Sequence, residues 1–292
     1  MSRHVCWMMI GVAALLVLGV GLVQAEETKS YALGTKLLVE EYNQPVTFIP
    51  LESQGEGLPS SFDWGTRAQN PAGRDICGPV RDQGDCGSCW AFASVACFEA
   101  WVNYTRGLSG VNLSEEVLVS DCCDAGDCGG GRLDWAADWM VAHGTTTEAC
   151  WPYTASNGPC SGYCAHPTMG KTEYWGYACG NWWTIDINAI KQALVAHGPL
   201  ATGMKVYSDF PSYSGGVYRH TSGSYKAGHG VLITGYTDNP SVPGGGYFIA
   251  KNSWGTGWGP YGGYFAIAYD SNCDFGIEST YYNGVIVYDR EE

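Results

Sequence analysis

The sequence predicts an α+β fold, with a helical half followed by a β-rich half. Two observations predict it. From about residue 76 to residue 168, apolar side chains recur at helical spacing. From about residue 169 onward they gather in short aromatic or β-branched runs separated by glycine, the pattern of strands and tight turns. The 292 residues suffice for a sizeable core divided into one or two lobes.

The elements follow in order. Arg3 and His4 precede an apolar run, Ile10 to Val23, and Val23-Gln24-Ala25 offers a small-residue cleavage site. The run is short for a span of about 20 residues. Residues 1–25 are therefore read as a signal peptide. Residues 26–57 form a short segment ending in the polar, flexible Glu52-Ser53-Gln54-Gly55-Glu56-Gly57. Ala93, Ala96, Cys97, Ala100, Trp101 and Tyr104 make one helical stripe after Cys89. Ser114 can N-cap a helix through Val119 by accepting a bond from an unpaired first-turn N–H. Leu133, Ala136, Ala137, Met140 and Val141 form a second stripe, which Gly144 ends. Asp186 caps a helix to His197, stopped by Gly198-Pro199. Val231–Tyr236, Tyr247–Ala250, Gly263–Tyr269 and Val285–Tyr288 read as strands. The sequence has no internal repeat and no low-complexity tract.

Fifteen Lys and Arg against 29 Asp and Glu give a net charge of −14. That balance disfavours nucleic acid and anionic membrane as partners. Once the signal is removed, no apolar run is long enough to cross a bilayer. Of thirteen cysteines, Cys6 lies in the signal and Cys89 is set aside for chemistry, leaving eleven, so at least one has no partner within the chain. Cys160, Cys164 and His166, and Cys122, Cys123 and Cys128, have spacings a zinc ion could use. The secretory context favours disulfides, and no metal site is expected.

Chemistry concentrates at four places. Cys89 sits in Cys86-Gly87-Ser88-Cys89-Trp90-Ala91 at the start of a helix, six residues after Gln83. The thiolate is the nucleophile, and first-turn N–H groups with the helix dipole favour it. His229 sits in Ala227-Gly228-His229-Gly230-Val231-Leu232-Ile233, and Asn252 in Lys251-Asn252-Ser253-Trp254-Gly255-Thr256-Gly257-Trp258-Gly259. They lie 140 and 163 residues after Cys89; the longer interval reads as loop insertions.

On these motifs the chain resembles the papain family of cysteine peptidases. The resemblance implies a papain-like two-lobe fold, a helical lobe at about 76–168 and a β-rich lobe at about 169–292, with the active site in the cleft between them. It implies a peptidase domain over 58–292, beginning at Leu58-Pro59-Ser60-Ser61-Phe62-Asp63-Trp64. Residues 26–57 would then be a pro-segment. It is much shorter than the family's usual one, too short to fold alone, but long enough to lie in a cleft as a strap. Cys89 would attack, His229 would take and return the proton, and Asn252 would orient the His229 ring under the cover of Trp254. Gln83 would donate to the oxyanion beside the backbone N–H of Cys89.

The same resemblance implies the binding surface. Gly130 and Gly131 would hydrogen-bond extended substrate, and Gly228 would offer its carbonyl. Trp254 and Trp258 would line the cleft. Leu133, Gly203 and Thr280 would wall the second subsite. Aligned on Gly276-Ile277-Glu278, the subsite floor is Thr280 and apolar side chains are preferred; aligned on Cys273, it is Glu278 and the preference reverses. Locally, around Gly198–Gly230, the chain looks most like cathepsin B, yet Cys150–His166 is too short for that enzyme's occluding loop. Carboxydipeptidase activity therefore loses its basis, and endopeptidase activity is expected.

Disulfides are implied at Cys86–Cys128, from Cys122 or Cys123 to Cys160, and at Cys150–Cys164, with Cys273 a free thiol. Expected partners are peptide or protein substrates and cystatin-like inhibitors, with no cofactor. The expected location is extracellular or a lysosome-like acidic compartment. Two sequons, Asn103-Tyr104-Thr105 and Asn112-Leu113-Ser114, are candidate glycosylation sites. A non-catalytic binding protein and a transpeptidase or ligase are the rival readings.

Overall fold

Two hydrophobic clusters lie under the two halves of the sequence. The computed structural model describes residues 31–35, 57–65, 70–160, 174–178, 185–276 and 285–289. The predicted signal peptide, the boundary at 169, Cys164, Glu278 and Thr280 lie outside these residues.

The first strand, β1 (Ser61–Asp63), is short. Helix α1 (Cys89–Thr105) follows. The sequence predicts one buried stripe on it, but all except its last turn is almost wholly buried. The reason is its position. It packs on α3 of the helical lobe and on β5 and β7 of the other lobe, so each face meets protein. Helix α2 (Glu116–Val119) starts later than expected. Ser114 does not cap it, because its hydroxyl donates to the Trp151 carbonyl at 2.5 Å. Strands β2 (Gly126–Asp127) and β3 (Gly130–Gly131) form a small hairpin. Helix α3 (Leu133–Ala142) ends as predicted. Gly144 has φ +69° and its N–H turns back to the Trp139 and Met140 carbonyls.

The second half contains β4 (Tyr174–Tyr177) and α4 (Ile187–His197). Asp186 caps α4, accepting from the Ala189 N–H at 3.0 Å. Then come β5 (Leu200–Tyr207), β6 (Val217–Tyr218), β7 (Tyr225–Asp238), β8 (Gly246–Lys251), β9 (Tyr264–Ala268) and β10 (Val285–Asp289). They form one sheet in the order β4-β10-β5-β7-β8-β9-β6, with β1 also paired to β7. All pairs are antiparallel except β6 with β9. Strand β7 reaches further back than the predicted Val231, so His229 lies within it, opposite Met204 of β5.

The Cys86–Cys128 disulfide ties the loop entering α1 to the glycine hairpin. Cys122 pairs with Cys160, leaving Cys123 a buried thiol. Cys150 is disulfide-bonded; its expected partner Cys164 lies outside the described residues. Cys273 is a free buried thiol, as expected; Cys77 is another, and Cys97 is a buried cysteine whose Sγ donates to the Pro199 carbonyl at 3.2 Å.

Candidate active site

Helix α1 brings Cys89 to the lobe interface, and strand β7 brings His229 to it from the other side. Both are fully buried. The turn after β8 supplies Asn252, whose Oδ1 accepts from the Ser253 N–H at 2.8 Å and lies 2.7 Å from His229 Nε2. The Ser253 N–H is necessarily a donor, so the shared atom is the amide oxygen. His229 Nε2 must then carry a proton, which leaves Nδ1 for the Cys89 side. Nδ1 is buried and makes no regular hydrogen bond among the described residues.

Cys89 is poised by opposing effects. Burial raises its pKa. The charge of His229, interaction with the His229 side chain, the Thr35 hydroxyl and the Gly230 backbone lower it, to about 7. Trp254 packs its ring 4.7 Å from that of His229 and is almost wholly buried, shielding the His229–Asn252 bond from water. Trp258 does not line the cleft as expected. It stands edge-on behind Trp254 at 5.0 Å, buried, with its N–H on the Pro211 carbonyl. Its ring is one of the surfaces against which Trp254 packs.

Gln83 is fixed at three points. Its backbone N–H bonds the Ser253 carbonyl at 2.9 Å, and its Oε1 accepts from the Ser253 hydroxyl at 2.7 Å. Its Nε2 donates to the Cys86 carbonyl at 2.9 Å and to the Ala32 carbonyl at 3.0 Å. Tyr153, which no motif marked, braces the same loop. Its hydroxyl donates to the Gln83 carbonyl at 2.9 Å and lies 2.6 Å from the Ser88 hydroxyl.

Residues 31–35 occupy the cleft. Tyr31 stacks on Trp254 at 4.4 Å. The Ala32 carbonyl sits on the Gln83 amide. The Gly131 N–H donates to the Gly34 carbonyl at 2.8 Å, and the Thr35 N–H donates to the Gly228 carbonyl at 3.2 Å. The Thr35 hydroxyl lies 3.3 Å from Cys89 Sγ. Gly131 and Gly228 thus offer backbone groups to residues 34 and 35 of the chain itself. Gly130 has φ +119°, and a Cβ there would lie 2.4 Å from the Gly34 carbonyl oxygen. Leu133 is fully buried in the helical-lobe cluster, and the Gly203 carbonyl accepts from Gly276 N–H at 3.3 Å.

The site thus brings together a thiol of lowered pKa, a histidine with one oriented nitrogen, and an amide donor beside the first turn of α1. Such a set can add a sulfur nucleophile to a carbonyl and hold the resulting charge. The sequence model for papain family cysteine proteases matches residues 58–285. The chain belongs to the papain family of cysteine proteases. Cathepsin B-like CP3 of Giardia intestinalis is 41% identical over 244 residues, covering 77% of this chain and 74% of the relative. Cathepsin B-like cysteine proteinase 4 of Caenorhabditis elegans is 32% identical, over 90% of this chain and 85% of its own length. Among solved structures, digestive procathepsin L2 proteinase from the Tenebrio molitor larval midgut superposes with a TM-score of 0.73 at 29% identity, covering 92% of this chain and 81% of that one. Bromelain of Ananas comosus, solved with the E64 inhibitor, superposes with a TM-score of 0.65 at 25% identity, covering 80% of this chain and all of that one. The papain-like fold and cysteine peptidase class of this chain are thereby established.

Proposed function

We propose a secreted or lysosomal cysteine endopeptidase that is made with its cleft filled by its own pro-segment. One observation carries the catalytic part: His229 Nε2 is held by Asn252, so its other nitrogen serves Cys89. Cys89 forms a thioester with the substrate carbonyl carbon, and His229 gives its proton to the leaving amine. Water then attacks the thioester, and His229 takes a proton from it. Gln83 and the Cys89 backbone N–H hold the oxyanion in both halves. The group of residues 31–35 that lies against Sγ is the Thr35 side-chain hydroxyl, which the thiolate cannot cleave. Their chain runs parallel to the glycine strand at Thr35 and Gly131. They therefore supply latency in place of a folded pro-domain.

Peptides and proteins are the proposed substrates, cystatin-like inhibitors the proposed partners. Leu133, Gly203 and Thr280 favour an apolar side chain at the second position before the cut, since a guanidinium there would lack a carboxylate partner. Cleavage of matched substrates carrying Phe or Arg at that position tests the specificity. A clear advantage for Arg, lost in Glu278→Ala, would overturn it. E64 labelling tests the enzyme: chain freed of residues 31–35 should be labelled at Cys89, and Cys89→Ala should not. An unlabelled wild-type chain would favour a non-catalytic binder on this fold.

A further inference from the structure

Gln83 and Cys89, six residues apart, carry the two donors proposed for the oxyanion. The loop between them contains Gly84 and Gly87, and glycine does little to stiffen a chain. Its middle is pinned by the Cys86–Cys128 disulfide and by the Gly87 N–H on the Cys128 carbonyl at 2.9 Å. Its two ends converge on one side chain from outside the loop, Tyr153.

A phenol has a single proton. The Gln83 carbonyl can only accept, so the Tyr153 proton goes to it, at 2.9 Å. The Tyr153 oxygen must then accept from the Ser88 hydroxyl, at 2.6 Å. Ser88 stands at the N-cap of α1, yet its hydroxyl caps no first-turn N–H. A serine there ordinarily turns its oxygen on the helix; here the hydroxyl is committed to Tyr153. Tyr153 is itself held through its backbone. Its N–H donates to Glu148 Oε1 at 2.8 Å. The next residue, Thr154, donates its N–H and its hydroxyl to the two carboxylate oxygens of Glu116, at 2.9 Å each. Glu116 is almost wholly buried on α2. The Tyr153 ring stands edge-on to Phe92 of α1 at 4.8 Å. Burial pushes the phenol pKa up to about 12, so the proton stays in place at neutral and acidic pH.

We propose that Tyr153 is a positioning residue for the oxyanion site. Through the Gln83 carbonyl and through Ser88, it holds the Gln83 side chain and the Cys89 N–H at one separation. This rests on the oxyanion role proposed above for Gln83 and Cys89. A misplacement of about 1 Å can cost about a hundredfold in rate.

The test is Tyr153→Phe in the processed chain, freed of residues 31–35. The phenyl ring keeps the contact with Phe92 and loses both hydrogen bonds. With KM little changed, kcat should fall about 10- to 100-fold, less than for loss of the Gln83 donor itself. A peptide aldehyde, whose adduct with Cys89 places its oxygen in the oxyanion site, should bind more weakly by a similar factor. Alkylation of Cys89 by iodoacetamide forms no oxyanion, so its rate and pH midpoint should stay those of the wild type. Ser88→Ala removes one of the two bonds and should move kcat the same way by a smaller factor. In a Gln83→Ala background, Tyr153→Phe should cost less than it does alone, because one donor it positions is already gone. Unchanged kcat in Tyr153→Phe beside a large loss in Gln83→Ala would overturn the positioning role and leave the oxyanion reading standing. Unchanged kcat in Gln83→Ala would overturn that reading and this one with it. A loss of alkylation equal to the loss of kcat would show that Tyr153 supports the fold and not the oxyanion site. If Tyr153→Phe does not fold, Ser88→Ala decides alone, and wild-type kcat in it would overturn the proposal.

Discussion

At the scale of single residues, the active site depends on one proton's position. His229 lowers the pKa of Cys89 against the effect of burial. The reaction of Cys89 with iodoacetamide should therefore rise with pH about a midpoint near 7, where an unperturbed thiol would show about 9. In His229→Ala the midpoint should move upward, because burial remains and the positive charge is gone. An unmoved midpoint would exclude His229 as the cause. Cys89→Ala should abolish cleavage with the fold intact, while Asn252→Ala should keep measurable activity, since it only orients the ring. Gln83→Ala should cost about two to three orders of magnitude in kcat. All four residues were legible in the sequence because each sits in a local motif. Tyr153 was not: a lone tyrosine in Trp151-Pro152-Tyr153 carries no signal, and only the fold sets its hydroxyl between Gln83 and Ser88. The Asn103 sequon was equally misleading. Its amide is fully buried and donates to the Ile76 carbonyl at 3.1 Å.

Among the elements, those with caps or strong periodicity were legible. Helix α4 has Asp186 at its start and Gly198 at its end, and the structure uses both. Strand β5 was missed, though it pairs with both β7 and β10. Its Leu200-Ala201-Thr202-Gly203-Met204 is poor in β-branched and aromatic residues, and burial rather than propensity makes it a strand. The cleft strap was foreseen only as a possibility of length. Nothing in Tyr31-Ala32-Leu33-Gly34-Thr35 marks it, because most of its bonds are made by its own backbone, the Thr35 hydroxyl on Cys89 Sγ being a side-chain contact that only the fold creates. Two predictions belong here. Tyr31→Ala removes the stack on Trp254, so the unprocessed chain should cleave a small peptide faster than wild type. Equal latency in both would show that Tyr31 does not hold the strap. Gly131→Ala should destabilise the fold by about 1–3 kcal/mol. Its Cβ would come within 2.3 Å of the Trp90 ring and 2.7 Å of the Ala125 carbonyl oxygen. Denaturant midpoints measure this, and an unchanged midpoint would mean that Trp90 yields freely.

For the molecule as a whole, the joint between the lobes is polar as well as apolar. Behind the catalytic pair lies a small cavity walled by Phe92, Glu99 and Glu115 of the helical lobe, by Lys251 and the Gly230–Leu232 stretch of the sheet, and by Arg81. Glu99 accepts from the Leu113 N–H at 2.7 Å, and both carboxyls are nearly inaccessible. These charges come from positions scattered along the chain, so no sequence motif reveals them; only tertiary packing assembles them. Burial raises the pKa of Glu99, against the lowering effect of Lys251. Burial raises that of Glu115 further, with Glu99 adding to the rise. A carboxyl whose folded-state pKa is raised keeps its proton to higher pH in the folded chain than in the unfolded one. The folded state then binds more protons in the window above the ordinary carboxylate range. Stability must fall as pH rises through that window and return as pH falls. This suits the proposed acidic compartment. Glu115→Gln removes the titrating group but keeps the shape. It should melt higher than wild type at pH 7, by about 2–4 °C for each kcal/mol recovered, and the gap should narrow toward pH 5. A variant less stable than wild type at pH 7 would show instead that ionised Glu115 is held favourably by Arg81, and that the joint is not eased by acid.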